Sequence, residues 1–125
     1  MKLRLLDDSI RLRLSHSDVV AAEQQGIVEG RTCFPNGSTF TFVLATSSQG
    51  SAGASYAENR MVVSLPADEI STWANDDEAI SLRGELKLVS GGRLKWLVEK
   101  DFQCLTDRPE EDQSDMFINP NLADS

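Results

Sequence analysis

Hydrophobic and polar residues alternate strictly in residues 10–14, Ile-Arg-Leu-Arg-Leu, and this period of two predicts a half-buried β-strand. Ser15 offers a side-chain cap for a short helix, and Gly26 suits the end of that helix. Residues 27–34 predict a second strand, which a Pro-Asn-Gly-Ser turn joins to a hairpin partner in residues 39–44. The first half is therefore expected to have the order strand, helix, strand, strand.

The second half predicts the same order. Residues 61–65 form an apolar strand, and Pro66 stands where a helix would begin. Residues 79–89 predict the next strand, and a Ser-Gly-Gly turn leads to its hairpin partner in residues 93–98.

Similar residues recur at matching positions of the two halves, for example Leu14 with Leu65 and Val19 with Ile70. We match in the same way Asp18 with Glu69, Arg31 with Arg83, Phe34 with Leu86, Phe40 with Leu94, and Phe42 with Trp96. Chance similarity between two short α+β halves is the competing explanation. We predict a single α+β domain over residues 1–125, with pseudo-repeats at about 10–45 and 61–98. This duplicated β-α-β-β unit would form a mostly antiparallel sheet with two short helices, burying Leu14, Val19, Leu65, Ile70 and Trp73.

Three segments lie outside these repeats. Residues 2–6 are expected to add an edge strand, and residues 46–58, rich in Ser, Gly and Ala, to form a mobile surface loop. Residues 99–125 form an acidic C-terminal segment. Edge strands favour strand-to-strand pairing, so a homodimer through an edge strand is one assembly that this fold allows.

Composition narrows the class of protein. Hydrophobic residues make up 40% of the chain and charged residues 26%, which is typical of a globular domain. No apolar run is long enough to span a membrane, and we expect a cytoplasmic protein. Two cysteines, Cys33 and Cys104, are too few for a secreted disulfide framework, and we expect both to be buried, reduced thiols.

The net charge of −8 is concentrated at the C-terminal end, since residues 99–125 contain eight acidic and two basic residues. This acidity argues against general nucleic-acid binding, which needs clustered Lys and Arg. If the large apolar residues of the predicted strands face the core, alternation places Arg11, Arg13, Arg93 and Lys95 together on the opposite sheet face. Arg31, Arg83 and Lys87 could join them.

An ordinary solvated strand face would explain these basic residues, and so would a docking surface for an anionic group. The acidic segment of the same chain is one such anionic group. It also contains an apolar cluster around Phe117. We expect Phe117 to fill an apolar groove while the neighbouring acids face the basic residues.

Chemical motifs are scarce in this chain. Its single histidine, His16, stands in the first turn of a predicted helix, where a solvated side chain is the ordinary outcome. Cys104 with Asp101, Asp107 and His16 offers elements that zinc accepts, but the spacing matches no standard metal site, and no cofactor is predicted. We interpret the chain as a small intracellular binding or protein-interaction module. A metal-dependent or enzymatic protein using the region from Glu99 to Asp107 is the alternative, and a single-stranded nucleic-acid binder is a weaker third class.

Several stretches resemble a family of uncharacterised bacterial proteins. They are residues 10–15, residues 61–75, residues 99–105 with the sequence Glu-Lys-Asp-Phe-Gln-Cys-Leu, and the acidic ending at residues 111–120. The third stretch is the most specific, and Ile118 stands where the family is expected to have proline. The resemblance covers about residues 10–120 and implies no reaction, ligand or partner.

Overall fold

The protein was analysed as a computed structural model, in which residues 1–101 are described. Two helices and eight strands form this part of the chain. In chain order the elements are β1 (Lys2–Leu5), β2 (Ser9–Leu14), α1 (His16–Gln25), β3 (Ile27–Cys33), β4 (Thr39–Ser47), β5 (Gly53–Ala57), β6 (Arg60–Pro66), α2 (Ala67–Asn75), β7 (Ser81–Lys87) and β8 (Arg93–Lys100).

The strands form two four-stranded sheets, one in the order β1-β2-β8-β7 and the other in the order β3-β4-β6-β5. In each sheet the central pair is parallel and the two outer pairs are antiparallel. The α+β class with mostly antiparallel pairing is confirmed. The strands divide between two sheets, whereas the sequence pattern had suggested a single one.

Each half of the chain contributes one hairpin to each sheet. In the first sheet Ile10 of β2 lies opposite Trp96 of β8, and in the second sheet Met61 of β6 lies opposite Phe42 of β4. Each half therefore contains the predicted strand-helix-strand-strand order, preceded by one further edge strand, β1 or β5. Because the halves exchange hairpins, neither sheet belongs to one half alone.

Two sequence-based expectations about this arrangement are wrong. Residues 46–58 do not form a loop throughout, because β4 continues to Ser47 and β5 occupies Gly53–Ala57. The residues of β5 are poor strand formers, but backbone pairing with β6 holds them in the sheet. Arg31 is not at the position equivalent to Arg83. The matched residues Phe42 and Trp96 lie opposite Gly30 and Gly84, and Arg31 follows its glycine whereas Arg83 precedes its own.

The core lies between the sheets and the helices. Leu12, Leu14, Leu65, Ile70 and Trp73 are each at most 1% exposed, which confirms the predicted core positions among them. Val19 is also buried, and the inward direction of Phe42 and Trp96 agrees with the alternation in their strands. At this size a single core of this kind is enough to stabilise a domain.

Helix α1 begins as its sequence predicts. The Ser15 hydroxyl accepts a hydrogen bond from the Asp18 backbone N–H at 3.2 Å, and the Asp18 carboxylate accepts one from the Ser15 backbone N–H at 3.1 Å. This capping box satisfies two N–H groups that a helix start leaves unpaired. Gly26 ends the helix with a φ of +80°, a conformation that glycine adopts without strain.

Candidate anion-binding face

The outer face of the β1-β2-β8-β7 sheet collects basic residues from all four strands. Residues that lie opposite each other on neighbouring strands point to the same face of the sheet. Arg4 lies opposite Arg11, and Arg11 lies opposite Leu97, so these three residues share the outer face. The set, called the basic face below, consists of Lys2, Arg4, Arg11, Arg13, Arg83, Lys87, Arg93 and Lys95. The predicted residues Arg11, Arg13, Arg93 and Lys95 are thus on one face of one sheet, and Arg83 and Lys87 join them.

Glu99 is the acidic centre of one end of this face. Its Oε1 accepts hydrogen bonds from Arg11 Nε at 2.8 Å and from Arg13 Nε at 2.9 Å, and Arg11 Nη2 lies 2.7 Å away. The glutamate side chain is 13% exposed, whereas those of the two arginines are 35% and 39% exposed. One carboxylate oxygen therefore contacts the guanidinium groups of two residues that are two positions apart on β2.

The pKa of Glu99 is lowered from its ordinary value. Burial acts in the opposite direction and raises it, but the hydrogen bonds and charges of Arg13 and Arg11 outweigh burial. Glu99 is therefore ionised at neutral pH, and it neutralises only one of the two positive charges that it contacts.

The middle of the basic face is a shallow basin of about 610 Å³. Its charged lining consists of Arg4, Arg11, Arg83, Lys95 and Glu85, and Leu97 and Trp96 also line it. Arg83 reaches the Ser81 hydroxyl at 3.4 Å. Within residues 1–101 no acidic side chain lies within ion-pair distance of Lys95, so its ammonium group is available to a ligand.

The rim of the face contains weaker ion pairs. Arg93 Nε lies 3.7 Å from Glu85, where both side chains are about half exposed, and Lys2 Nζ lies 3.3 Å from Asp101. Exposed pairs of this kind contribute little to stability, and a competing carboxylate can replace the acid of the pair.

The outer face of the other sheet has a different chemistry. At the positions equivalent in register to Arg11 and Arg13, that sheet has Val62 and Ser64. Its remaining outward residues are mostly Thr, Ser, Ala and Gly, with Arg31 and an Arg60–Glu29 pair at 2.8 Å. Because two sheets of the same topology differ in this way, the strand architecture does not by itself require a basic outer face.

Three of the residues singled out from the sequence are outside the described part of the chain, namely Phe117, Cys104 and Asp107. His16 is exposed at the start of α1, as expected. Arg31 is on the second sheet, away from the basic face, because β3 pairs with β4. Cys33 is exposed, which contradicts the prediction of a buried thiol: it is the last residue of an edge strand and faces outward.

Two basic residues and the acidic centre were missed from sequence. The prediction of a strand at residues 2–6 does not say on which face of the sheet Lys2 and Arg4 lie. The alternation of these residues with Leu3 and Leu5 indicates that they face outward. Glu99 was assigned to the acidic segment, yet it is the seventh residue of β8 and alternates outward with Lys95 and Leu97. Extending the period of two along β8 would have found it.

Neither a metal cluster nor a membrane span is found in the part of the chain that the structure describes. Residues 1–101 contain no group of three His, Cys, Asp or Glu side chains that could hold a metal ion. Over the same residues, neither helix is long and apolar enough to cross a membrane.

Comparison with protein families gives a match over most of the chain. The profile of a family described as being of unknown function matches residues 1–121. No curated protein and no solved structure matches this chain.

Proposed function

The chain belongs to this family, DUF7009, whose function is unknown, and from the geometry of the basic face we propose that it is a small interaction module that binds an acidic segment of a partner protein. The observation that carries the proposal is the basin in which Arg11, Arg83 and Lys95 converge on one side of a rigid sheet. Binding residues on strands are held more precisely than residues on loops.

Guanidinium groups favour carboxylates as the ligand. The planar fork of Arg can match the two oxygens of a carboxylate, and Arg11 and Arg13 of this face already donate to one carboxylate oxygen, Oε1 of Glu99. A partner's Glu or Asp side chains would repeat that contact with Arg83, Arg93 and Lys95 along the face.

Nucleic acid fits the face less well. Proteins that bind single strands stack bases on exposed aromatic rings. The aromatic residue at this face is Trp96, and its side chain is directed into the core, where the residue is 7% exposed.

The matching order and register of the two halves support a duplicated origin for this module. We propose that one β-β-α-β-β unit was duplicated and that only one of the resulting outer faces became basic. We also propose that the protein acts inside the cell and that residues 99–105 are a signature of the family.

A labelled oligoglutamate peptide tests the proposal by fluorescence anisotropy on the full-length protein. Lys95→Gln should weaken binding by up to about fivefold, the effect of one exposed charge pair. Arg31→Gln, which removes one exposed charge from the other sheet, should leave binding unchanged. Affinity should also fall as salt is raised.

Three outcomes would contradict the proposal. They are absence of binding by the peptide, equal effects of Lys95→Gln and Arg31→Gln, and tighter binding of a single-stranded oligothymidine than of oligoglutamate. The last outcome would favour the nucleic-acid class instead.

A further inference from the structure

An apolar groove of about 520 Å³ opens between the two sheets, beside the basic face. Its large lining residues that are at least partly exposed are Leu5, Phe40, Tyr56 and Leu94, and Asp7 also lies at the groove. Strands β2 and β6 begin at this groove and lead into the helices at their other ends, so the groove is at the end of the core that the helices do not cover.

The groove is built from equivalent positions of the two halves. Leu5 lies opposite Ile10 in one hairpin, and Tyr56 lies opposite Met61 in the other. Leu5 is 55% exposed and Tyr56 is 61% exposed, although both border the apolar core. Large side chains at this level of exposure leave apolar area that an occupant could remove from water.

The groove and the basin are neighbours, because Ser9 and Ile10 line both. A ligand that occupied both would need carboxylates over the basin and an apolar side chain at the groove. Residues 110–118 of this chain have that order, with Glu110, Glu111 and Asp112 followed by Asp115 and then by Met116, Phe117 and Ile118.

The chain is long enough to bring these residues back. Strand β8 runs from the groove at Leu94 past the basin to Lys100, and Asp101 follows it. Retracing β8 from Asp101 to Leu94 requires about 23 Å at the rise of a strand. Phe117 follows Asp101 by sixteen positions along the chain, and a chain of that length spans up to about 53 Å. The acids would meet the basin before Phe117 reached the groove.

We propose that residues 110–118 dock on their own domain, with Phe117 in the apolar groove and the acids over Arg83 and Lys95, so that the segment competes with a partner for the basic face. The competition rests on the function proposed above, whereas docking of Phe117 in the groove does not. Charge favours this occupant over a second copy of the domain. Residues 102–125 contain six acidic residues and one basic residue, a net charge of −5, whereas residues 1–101 contain fourteen and eleven, a net charge of −3 over four times the length.

Photo-crosslinking in the full-length protein tests where residue 117 lies. With benzoylphenylalanine in place of Phe117, crosslinks should form within one chain and map by mass spectrometry to Leu5, Tyr56 or Leu94. Crosslinks to the other sheet, crosslinks between chains, or no crosslinks would overturn the proposal.

Amide hydrogen exchange of the full-length protein is a second measurement that does not depend on the bulky probe. Phe117→Ala should increase exchange in residues 113–118 by about tenfold or more, since burial of a phenyl ring is lost. Tyr56→Ala should do the same, whereas Leu122→Ala, outside residues 110–118, and Val89→Ala, on an exposed turn, should not. Equal exchange in all four variants would contradict docking.

The oligoglutamate assay then separates the two proposals. If the segment competes for the basic face, Phe117→Ala should bind the peptide several times more tightly than the unmodified protein. Peptide binding without crosslinks would support the proposed function and contradict docking of residues 110–118. Crosslinks in the groove with no peptide binding, even in Phe117→Ala, would support docking and contradict the proposed function.

Discussion

The indole ring of Trp96 lies across Gly84, its register partner on the neighbouring strand. A Cβ added at Gly84 would come 2.7 Å from Cζ2 of the ring and 2.9 Å from its Nε1. The phenyl ring of Phe42 covers Gly30 in the other sheet in the same way. In both sheets, absence of a side chain on one strand makes room for a large aromatic ring from the next.

Gly84→Ala should therefore destabilise the protein by about 1–3 kcal/mol, as overpacking of a core does. The indole would have to leave a position where Trp96 is 7% exposed. Gly50→Ala is a suitable control, because nothing lies within 4 Å of a Cβ at that position. Urea denaturation followed by circular dichroism measures both variants. Equal stability of the two would show that the ring is free to move.

Trp73 has the largest fully buried side chain in the part of the chain that the structure describes. Its side chain is 1% exposed, its Nε1–H donates a hydrogen bond to the Ile80 carbonyl at 3.1 Å, and the Lys100 ammonium lies 5.5 Å from the ring centre. Trp73→Ala should lower the free energy of unfolding by about 3–5 kcal/mol. Thermal unfolding measures this, and Trp73→Phe should be less destabilising because it retains most of the apolar contact.

Periodicity predicted the elements of this fold better than their assembly. The alternation in residues 10–14 and the turn signals around Gly37 and Gly91 locate strands and hairpins, because these are local properties of the chain. Exchange of hairpins between two sheets depends on long-range pairing, which no local pattern specifies. Strand β5 was missed because Gly, Ala and Ser have low strand propensity, and only β6 holds them extended.

The basic face was predictable for the same reason that its strands were. Once Leu12 and Leu14 face the core, Arg11 and Arg13 must face outward. Arg31 was harder to place, since its face depends on which sheet β3 joins. The apolar groove could not be predicted, because it combines residues from six strands that belong to both halves.

Cys33 should react rapidly with thiol reagents in the native protein, contrary to the expectation from sequence. It is exposed at the end of an edge strand, and its nearest described polar contact is the Thr39 hydroxyl at 3.7 Å. Accessible thiols react at rates limited by their thiolate fraction. Native labelling with Ellman's reagent, compared between the unmodified protein and Cys33→Ser, measures this. Loss of the rapid phase in the variant is expected, and an unchanged time course would show that Cys33 is protected.

Glu99 should make the stability of the protein depend on pH in the acidic range. Its pKa in the folded protein is lowered because the hydrogen bonds from Arg13 and Arg11 outweigh the opposing effect of burial. The unfolded chain therefore takes up a proton on Glu99 at a higher pH than the folded protein does. The stabilisation is complete above the ordinary glutamate pKa, and it is lost as pH falls through the lowered value.

Glu99→Gln should thus be clearly less stable than the unmodified protein at neutral pH, and the difference should shrink as the pH is lowered below about 4, where the unfolded carboxyl is protonated. Urea denaturation at several pH values measures the difference, which removes contributions common to both proteins.

Glu29→Gln provides a matched control on the other sheet. Its Oε2 lies 2.8 Å from Arg60 Nη1, the distance that also separates Glu99 Oε1 from Arg11 Nε, but the glutamate is 35% exposed against 13% for Glu99. Solvent screens the more exposed pair, so Glu29→Gln should cost less at neutral pH. If the two variants lost equal stability, the contacts of Glu99 with Arg11 and Arg13 would contribute no more than an ordinary surface pair, and the two arginines would be held in position by the strand alone.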